Sequence, residues 1–257
     1  MAKTKSDLSR SIRRTLEVLE YFDPEHTSVT VSEISRALGY PQSSTSILLR
    51  SLAGLGYLHY EKASRSYRPT ARVSLLGRGI ESHLFGDGSV MSALEQISRE
   101  TGEMVILAAR EGIVVRYIYV IPATNPMRMH LRTGAVRPMI GSAVGHLFLS
   151  ALGDTELSVE IERLHQAQTE FLIDDDELMR QIRRIRRLGH SLSTHTVTPG
   201  GGIVAILLPG EYTGTQLAIG IGGVAETITA NEKRFVDTMK AAVKTHLPTL
   251  AKHDGDR

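Results

Sequence analysis

Between Thr30 and Leu55 two helical segments are separated only by Gly39-Tyr40-Pro41, and this spacing restricts the chain more than any other feature of its sequence. Thr30-Val31-Ser32-Glu33 has capping-box spacing, Ile34 and Leu38 share a face, and Gly39 ends the segment after barely two turns. Pro41 suits the first turn of the next helix, QSSTSILLRSLAGL, with Leu48, Leu52 and Leu55 expected inside and Ser43, Ser46 and Arg50 outside. Upstream, Ile12, Leu16 and Leu19 recur at helical spacing and predict an amphipathic helix over 12–22, its apolar face inward. Downstream, YLHYEKASRSYRP places β-favouring residues on both sides of a polar turn, which reads as a two-stranded wing closed by Pro69. Three short helices followed by a hairpin is helix-turn-helix order with a wing.

That order carries a chemical expectation. A helix fits the major groove of DNA, small hydroxyl residues in its first turn permit close approach, and helix N-terminal amides suit phosphate oxygens. Gln42, Ser43, Ser44, Thr45 and Ser46 supply such a surface, with Arg50 on the same face. Arg10, Arg13 and Arg14 precede or open the first helix, and Lys62, Arg65 and Arg68 lie in or beside the hairpin, so cations flank the reading helix. Double-stranded DNA is the expected partner. Charge is distributed accordingly: the net value is only +2, but residues 1–85 hold twelve Lys and Arg against eight Asp and Glu, leaving eighteen against twenty.

At 257 residues, two domains are expected. We place a winged helix-turn-helix domain at 1–72, linker and dimerisation helices at 73–98, and a second domain at 99–257. The second reads as α+β. EMVILAAR and IVVRYIYV are strands joined at Glu111-Gly112, and Met127–Arg132 is a shorter strand. Helices are expected over 141–152, 154–167 and 174–188, the last with Leu178, Ile182 and Ile185 inside and its arginines outside. Strands follow at 190–197, 203–208 and 215–221, separated by Pro199-Gly200-Gly201-Gly202 and by Pro209-Gly210, before a final helix over 230–247. Hairpin strands around a block of helices indicate an antiparallel sheet.

SIRRTLEVLEYF, TVSEISRALGYPQSSTSILLRSLAGLGYL and the hairpin resemble the DNA-binding half of the IclR regulator family. RTGAVRPMIGSAVGHLFLSALG and LMRQIRRIRRLGHS resemble stretches of its second half, so the likeness spans nearly the whole chain. It implies a GAF-like effector domain and a homodimer, or a dimer of dimers, on a palindromic operator near the controlled genes. Ile47 stands where many relatives carry a basic residue, and His146 where they often have Lys or Arg. In relatives that sense small carboxylic acids, main-chain amides at a helix start hold the effector, which maps onto Ala143 and Val144. An acidic residue of those relatives corresponds to Ser193, a cysteine to Ile203, and two alternating serines to Gly220 and Gly222. A roomier, less polar pocket is therefore expected, with Met129 and Leu131 on its wall and His195 as a donor or acceptor. A carboxylate with a larger apolar body, aromatic or ring-derived, fits that expectation. The regulator would control a catabolic operon, as a repressor.

Other functions have less support. Zero cysteines remove disulfides, thiolate chemistry and Cys-based zinc sites. Asp174-Asp175-Asp176-Glu177 sits where a helix starts and reads as a cap, not as acid-base machinery. The 200–202 glycines lack the Lys-Ser/Thr ending of a phosphate loop. His130, His146, His190 and His195 form no coordination motif. No enzyme activity, cofactor or metal is expected. The start MAKTKSDLSRSIRR has no apolar run before Ile12, so no secretory signal is expected, and with no run long enough to span a membrane the expected location is the cytoplasm. The alternative is a small-molecule-binding protein whose winged helix mediates protein contacts.

Overall fold

Thr30 closes its capping box in the computed structural model, which describes residues 5–23, 26–76, 89–124, 131, 133–167, 174–212 and 214–247. The Thr30 hydroxyl accepts the Glu33 N–H at 3.3 Å, and the Thr30 N–H donates to the Glu33 carboxylate at 2.6 Å. The Thr30 backbone N–H is also the main reason the Glu33 carboxyl titrates below its ordinary range. A depressed carboxyl pKa stabilises the fold above the unfolded value, so this contribution is complete at neutral pH and is lost as pH falls through the folded pKa. Thr30→Ala is expected to destabilise the front unit by about 1 kcal/mol. Faster hydrogen exchange at the amides of residues 33–38 would show it; unchanged exchange would mean that the box contributes nothing.

The chain divides into two units, Met1–Ser82 and His83–Arg257. The first contains α1 (Lys5–Glu20), β1 (Val29–Thr30), α2 (Val31–Leu38), α3 (Gln42–Gly54), β2 (Leu58–Glu61), β3 (Ser66–Pro69) and α4 (Ala71–Ser74). Gly39 ends α2 with φ +68°, a left-handed cap that glycine adopts without a Cβ clash. The sheet order is β1-β3-β2, one strand more than the expected hairpin. Val18, Val29, Ile34, Leu49, Leu52, Leu58 and Tyr67 form the core.

Two expected faces differ. In α3 the buried line is Thr45, Leu49 and Leu52; the helix ends at Gly54, so Leu55 leaves the helical period as its C-cap and is 60% exposed. In α1 the core receives Val18, while Ile12 and Leu16 are more than half exposed. Periodicity locates an apolar stripe without saying which neighbour covers it.

The second unit runs α5 (Ser89–Thr101), β4 (Met104–Glu111), β5 (Val114–Ile121), β6 (Val136–Pro138), α6 (Ala143–Ser150), α7 (Asp154–Ala167), α8 (Asp175–Leu188), β7 (Ser191–Thr194), β8 (Gly201–Tyr212), β9 (Thr215–Val224), α9 (Ala225–Ala230) and α10 (Glu232–His246). Six antiparallel strands lie in the order β6-β5-β4-β9-β8-β7. Alternation along them builds two cores. Val105, Leu107, Val204, Ile206, Ile219 and Ile221 pack with residues of α5 and α10, such as Leu94 and Phe235. Met104, Ile106, Ala108, Ala205 and Ala218 pack with residues of α6, α7 and α8, such as Leu147, Leu157 and Ile182. The fold is α+β, a winged helix-turn-helix followed by a domain built on an antiparallel sheet.

Pro209-Gly210 does not separate two strands. β8 runs through it with a register shift between Leu207 and Glu211, Gly210 taking φ +73°, and turns back only after Tyr212. A bulge accommodates the missing proline N–H without ending the ladder. The expected strand over Met127–Arg132 lies, apart from Leu131, outside the described residues, as does 77–88 of the linker.

Candidate nucleic-acid interface and ligand cavity

Gln42, Ser43, Ile47 and Arg50 lie on the exposed side of α3, with Ser44 and Ser46 half-buried. The turn is braced from within: Gln42 Nε2 donates to Ser32 Oγ at 2.8 Å, and Ser44 Oγ to the Pro41 carbonyl at 2.9 Å. Thr45 does not belong to the outer surface. It is 1% exposed, its hydroxyl donates to the Pro41 carbonyl at 3.1 Å, and it occupies the core line one turn before Leu49.

The wing turn carries exposed Lys62 and Arg65, with Arg68 exposed on β3. Arg65 sits at φ +52°. Arg50 and Arg65 line one recess between α3 and the wing, with Ser46, Tyr60 and Ser64, so helix and wing present cations to the same opening. Arg13 is largely exposed, 4.0 Å from Glu17. Arg14 is held differently: its guanidinium stacks 4.6 Å from the Tyr40 ring, and the Tyr40 hydroxyl donates to Glu17, which ties α1 to the turn between α2 and α3.

In the second unit, α6 opens beneath the sheet. Ser142 is its N-cap, accepting the Gly145 N–H at 3.1 Å and donating to the Pro138 carbonyl at 2.5 Å. A Cβ on Gly145 would stand 2.1 Å from the Met139 carbonyl oxygen, so this close approach of helix and loop needs glycine. Beside this helix start is a narrow cavity of about 40 Å³.

Leu131, Ala143, Ser193, Ile203 and Gly222 meet around the cavity. The other expected effector residues do not. Val144 is not in the lining and its side chain is buried in the core beneath the helix, although its expected part was the main-chain amide. His195 is exposed in the loop after β7 at φ +60°, and its Nδ1 accepts the Gly200 N–H at 3.3 Å, so the ring braces a turn. Gly220 is away from the lining: a Cβ there would stand 3.0 Å from Ile106 Cγ1 and 3.2 Å from Ile203 Cδ1. At Gly222 a Cβ would stand 2.6 Å from Met104 Cε. The space expected at the two glycines is thus filled by Met104, Ile106 and Ile203, and the pocket is tight rather than roomy. Met129 lies outside the described residues.

Sequence reasoning missed Arg137 and Tyr117. Both line the cavity, the guanidinium 5.4 Å from the ring centroid. Burial raises the Tyr117 hydroxyl's pKa, so it stays protonated at neutral pH. Arg137, immediately before the Pro138 that leads into α6, was the available signal.

His146 is 5% exposed; its Nε2 accepts the Gly141 N–H at 3.0 Å, and burial lowers its pKa to about 4, against a hydrogen bond to Gln181 that raises it. It is neutral at physiological pH, with the proton on Nδ1. Among the described residues no three His, Asp or Glu converge as metal ligands, and no helix is long and apolar enough to cross a membrane.

Residues 11–62 match the IclR helix-turn-helix domain, and residues 89–246 match the bacterial transcriptional regulator IclR C-terminal domain. The chain belongs to the IclR family of transcriptional regulators. Over 204 residues it is 26% identical to the HTH-type transcriptional regulator XynR of Escherichia coli, covering 77% of this chain and 79% of that protein. It is 24% identical to the transcriptional repressor IclR of the same organism over 227 residues, 86% of this chain and 82% of the relative. Among solved structures, the effector domain of a putative IclR regulator from an Acinetobacter superposes with a TM-score of 0.58 at 27% identity, covering 64% of this chain and 97% of that one. The Thermotoga maritima IclR shares the fold, with a TM-score of 0.64 at 19% identity over 96% of this chain and 99% of that one.

IclR-family membership makes the recess between α3 and the wing part of a DNA-binding domain and the second unit an effector-binding domain.

Proposed function

We propose that this IclR-family regulator represses a catabolic operon and releases it on binding a small organic acid. It acts as a homodimer or dimer of dimers, since one short recognition helix reads only a few base pairs and two-fold operators need two. The observation that carries the effector reading is the polarity of the narrow cavity. Its lining combines Arg137 and the first turn of α6 with the apolar side chains of Met104, Leu131 and Ile203. A carboxylate meets the cation and the helix start; a flat apolar body, an aromatic acid being the proposed case, lies over the aliphatic wall. Met104 is the adaptable part of that wall, because its unbranched side chain can rotate aside.

On the DNA side, the reading rests on Arg50 and Arg65 sharing one recess, with Ser43, Ile47 and Arg50 on the exposed face of α3. Arg13, Lys62 and Arg68 supply phosphate contacts, whereas Arg14 acts through its stack on Tyr40. Arg50→Ala is expected to weaken specific operator binding by about 1–3 kcal/mol at physiological salt. Lys62→Ala should weaken binding to all sequences alike and flatten the salt dependence. Fluorescence anisotropy with the chain's own promoter region measures both. An Arg50→Ala protein that binds like wild type would remove this residue from the interface.

A further inference from the structure

The outward face of α3 carries one residue whose chemistry differs from its surroundings. Gln42, Ser43, Ile47, Arg50, Ser51 and Gly54 are the exposed positions of this helix, so a single bulky apolar side chain stands among amide, hydroxyl and guanidinium groups. Ile47 is 60% exposed. It lies two residues from both Thr45 and Leu49, about 200° of helical turn from the buried line, which puts it opposite the core. One turn to either side stand Ser43 and Ser51, which are too small to cover it. Arg50 is engaged elsewhere: its Nε donates to the Ser46 carbonyl at 3.4 Å, and it lines the recess beside the wing, to whose lining Ile47 does not belong.

An isoleucine in this place does little for its own fold. Branching at Cβ makes it a poorer helix former than leucine or alanine, and with most of its surface in water it gains little from burial. A lone apolar side chain on a protein surface is ordinary, but this one sits at the centre of the face that a helix-turn-helix turns toward the major groove. The groove edges of the bases say what it can meet there. All four offer hydrogen-bonding groups, and thymine alone adds an apolar one, its C5 methyl. Isoleucine has no donor or acceptor, so against guanine, adenine or cytosine it would strip water from polar groups and return nothing. Against a thymine methyl, both partners remove apolar surface from water. The stiff χ1 of a β-branched side chain also fixes where that contact falls.

We propose that Ile47 is a specificity-determining residue, which reads the C5 methyl of one thymine in each operator half-site. The proposal rests on α3 being the groove-reading helix. Ser43 and Arg50, about one turn to either side, take hydrogen-bonding edges of neighbouring base pairs, and Ile47 fixes a thymine between them.

The test begins with selection of the full chain's preferred duplexes from a random pool. Each thymine of the selected site is then replaced in turn by deoxyuridine, which lacks the methyl and keeps every hydrogen-bonding group. At one thymine per half-site the exchange weakens binding by at least about fourfold, the equivalent of one methyl group taken out of water. The same exchange alters the affinity of Ile47→Ala by less than about 1.5-fold, whereas Ile47→Val, which keeps the branch, retains a loss of about twofold or more. Ile47→Ala melts at the same or a higher temperature, because alanine is the better helix former. The proposal is overturned if the selected site holds no fixed thymine, if no exchange costs as much as about twofold, or if Ile47→Ala keeps the methyl dependence of wild type. If no sequence is enriched, the reading of α3 as the groove helix falls with it. Enrichment that Arg50→Ala weakens, without any methyl effect, overturns the role of Ile47 alone.

Discussion

Gly145→Ala is expected to lower the melting temperature of the effector-binding unit by about 6–12 °C, corresponding to about 3 kcal/mol. The added methyl would lie 2.1 Å from the Met139 carbonyl oxygen and within 2.7 Å of two further backbone atoms of Met139. Main chain cannot rotate aside as a side-chain tip can, so either α6 or the segment before it must shift. Both options disturb fully buried side chains, Met139 and Ile140 on one side and Val144 and Leu147 on the other. They also disturb the Ser142 cap, which uses the Gly145 N–H. Gly153→Ala is the control, because a Cβ there meets only the Glu156 carboxylate, at 3.9 Å. Thermal melts of the two variants decide the matter. A Gly145→Ala protein melting within about 2 °C of wild type would show that the contact relaxes freely.

Arg137→Ala is expected to weaken binding of an aromatic carboxylate by about thirtyfold, the loss of about 2 kcal/mol from a charge-assisted hydrogen bond. The cation stands in the same lining as Ala143 at the start of α6, so removing it leaves only neutral donors, helix-end amides and hydroxyls, to meet a carboxylate. Benzoate and phenylacetate are the probes, titrated calorimetrically and then added to the operator complex. Operator affinity without effector should be unchanged, since Arg137 lies in the second unit and the reading helix in the first. If glyoxylate or pyruvate binds tightly while both aromatic acids fail, the proposed effector class is wrong. If the aromatic acids bind Arg137→Ala as well as wild type, the cavity is misassigned.

The elements were largely legible because their signals are local. The capping box at Thr30, the left-handed cap at Gly39, the acidic cap at Asp174 and the turn at Gly112 each depend on a few adjacent residues, and each forms as its residues suggest. The side that each element buries was less legible. Thr45 looked like part of a hydroxyl-rich outer surface because its neighbours are serines, yet it is the residue in register with Leu49 and Leu52. Arg186 looked like one of five solvated arginines, yet it holds the end of α6 through two carbonyls.

The candidate cavity divides in the same way. A glycine in a strand announces missing side-chain volume but not who takes it. At Gly220 the neighbours are Ile106 and Ile203, from the adjacent strands β4 and β8, and at Gly222 Met104 moves in. Arg137 became a cavity residue only when β6 paired beside β5 and brought it to Tyr117. The order of residues by itself determined the helix-turn-helix, its wing, the antiparallel sheet and a helix within 141–152, since caps, turns and periodicity act over one or two turns of chain. Only the tertiary structure decided which faces are buried, which volumes are filled and which arginines hold distant carbonyls and rings, because those depend on atoms supplied by segments tens of residues away.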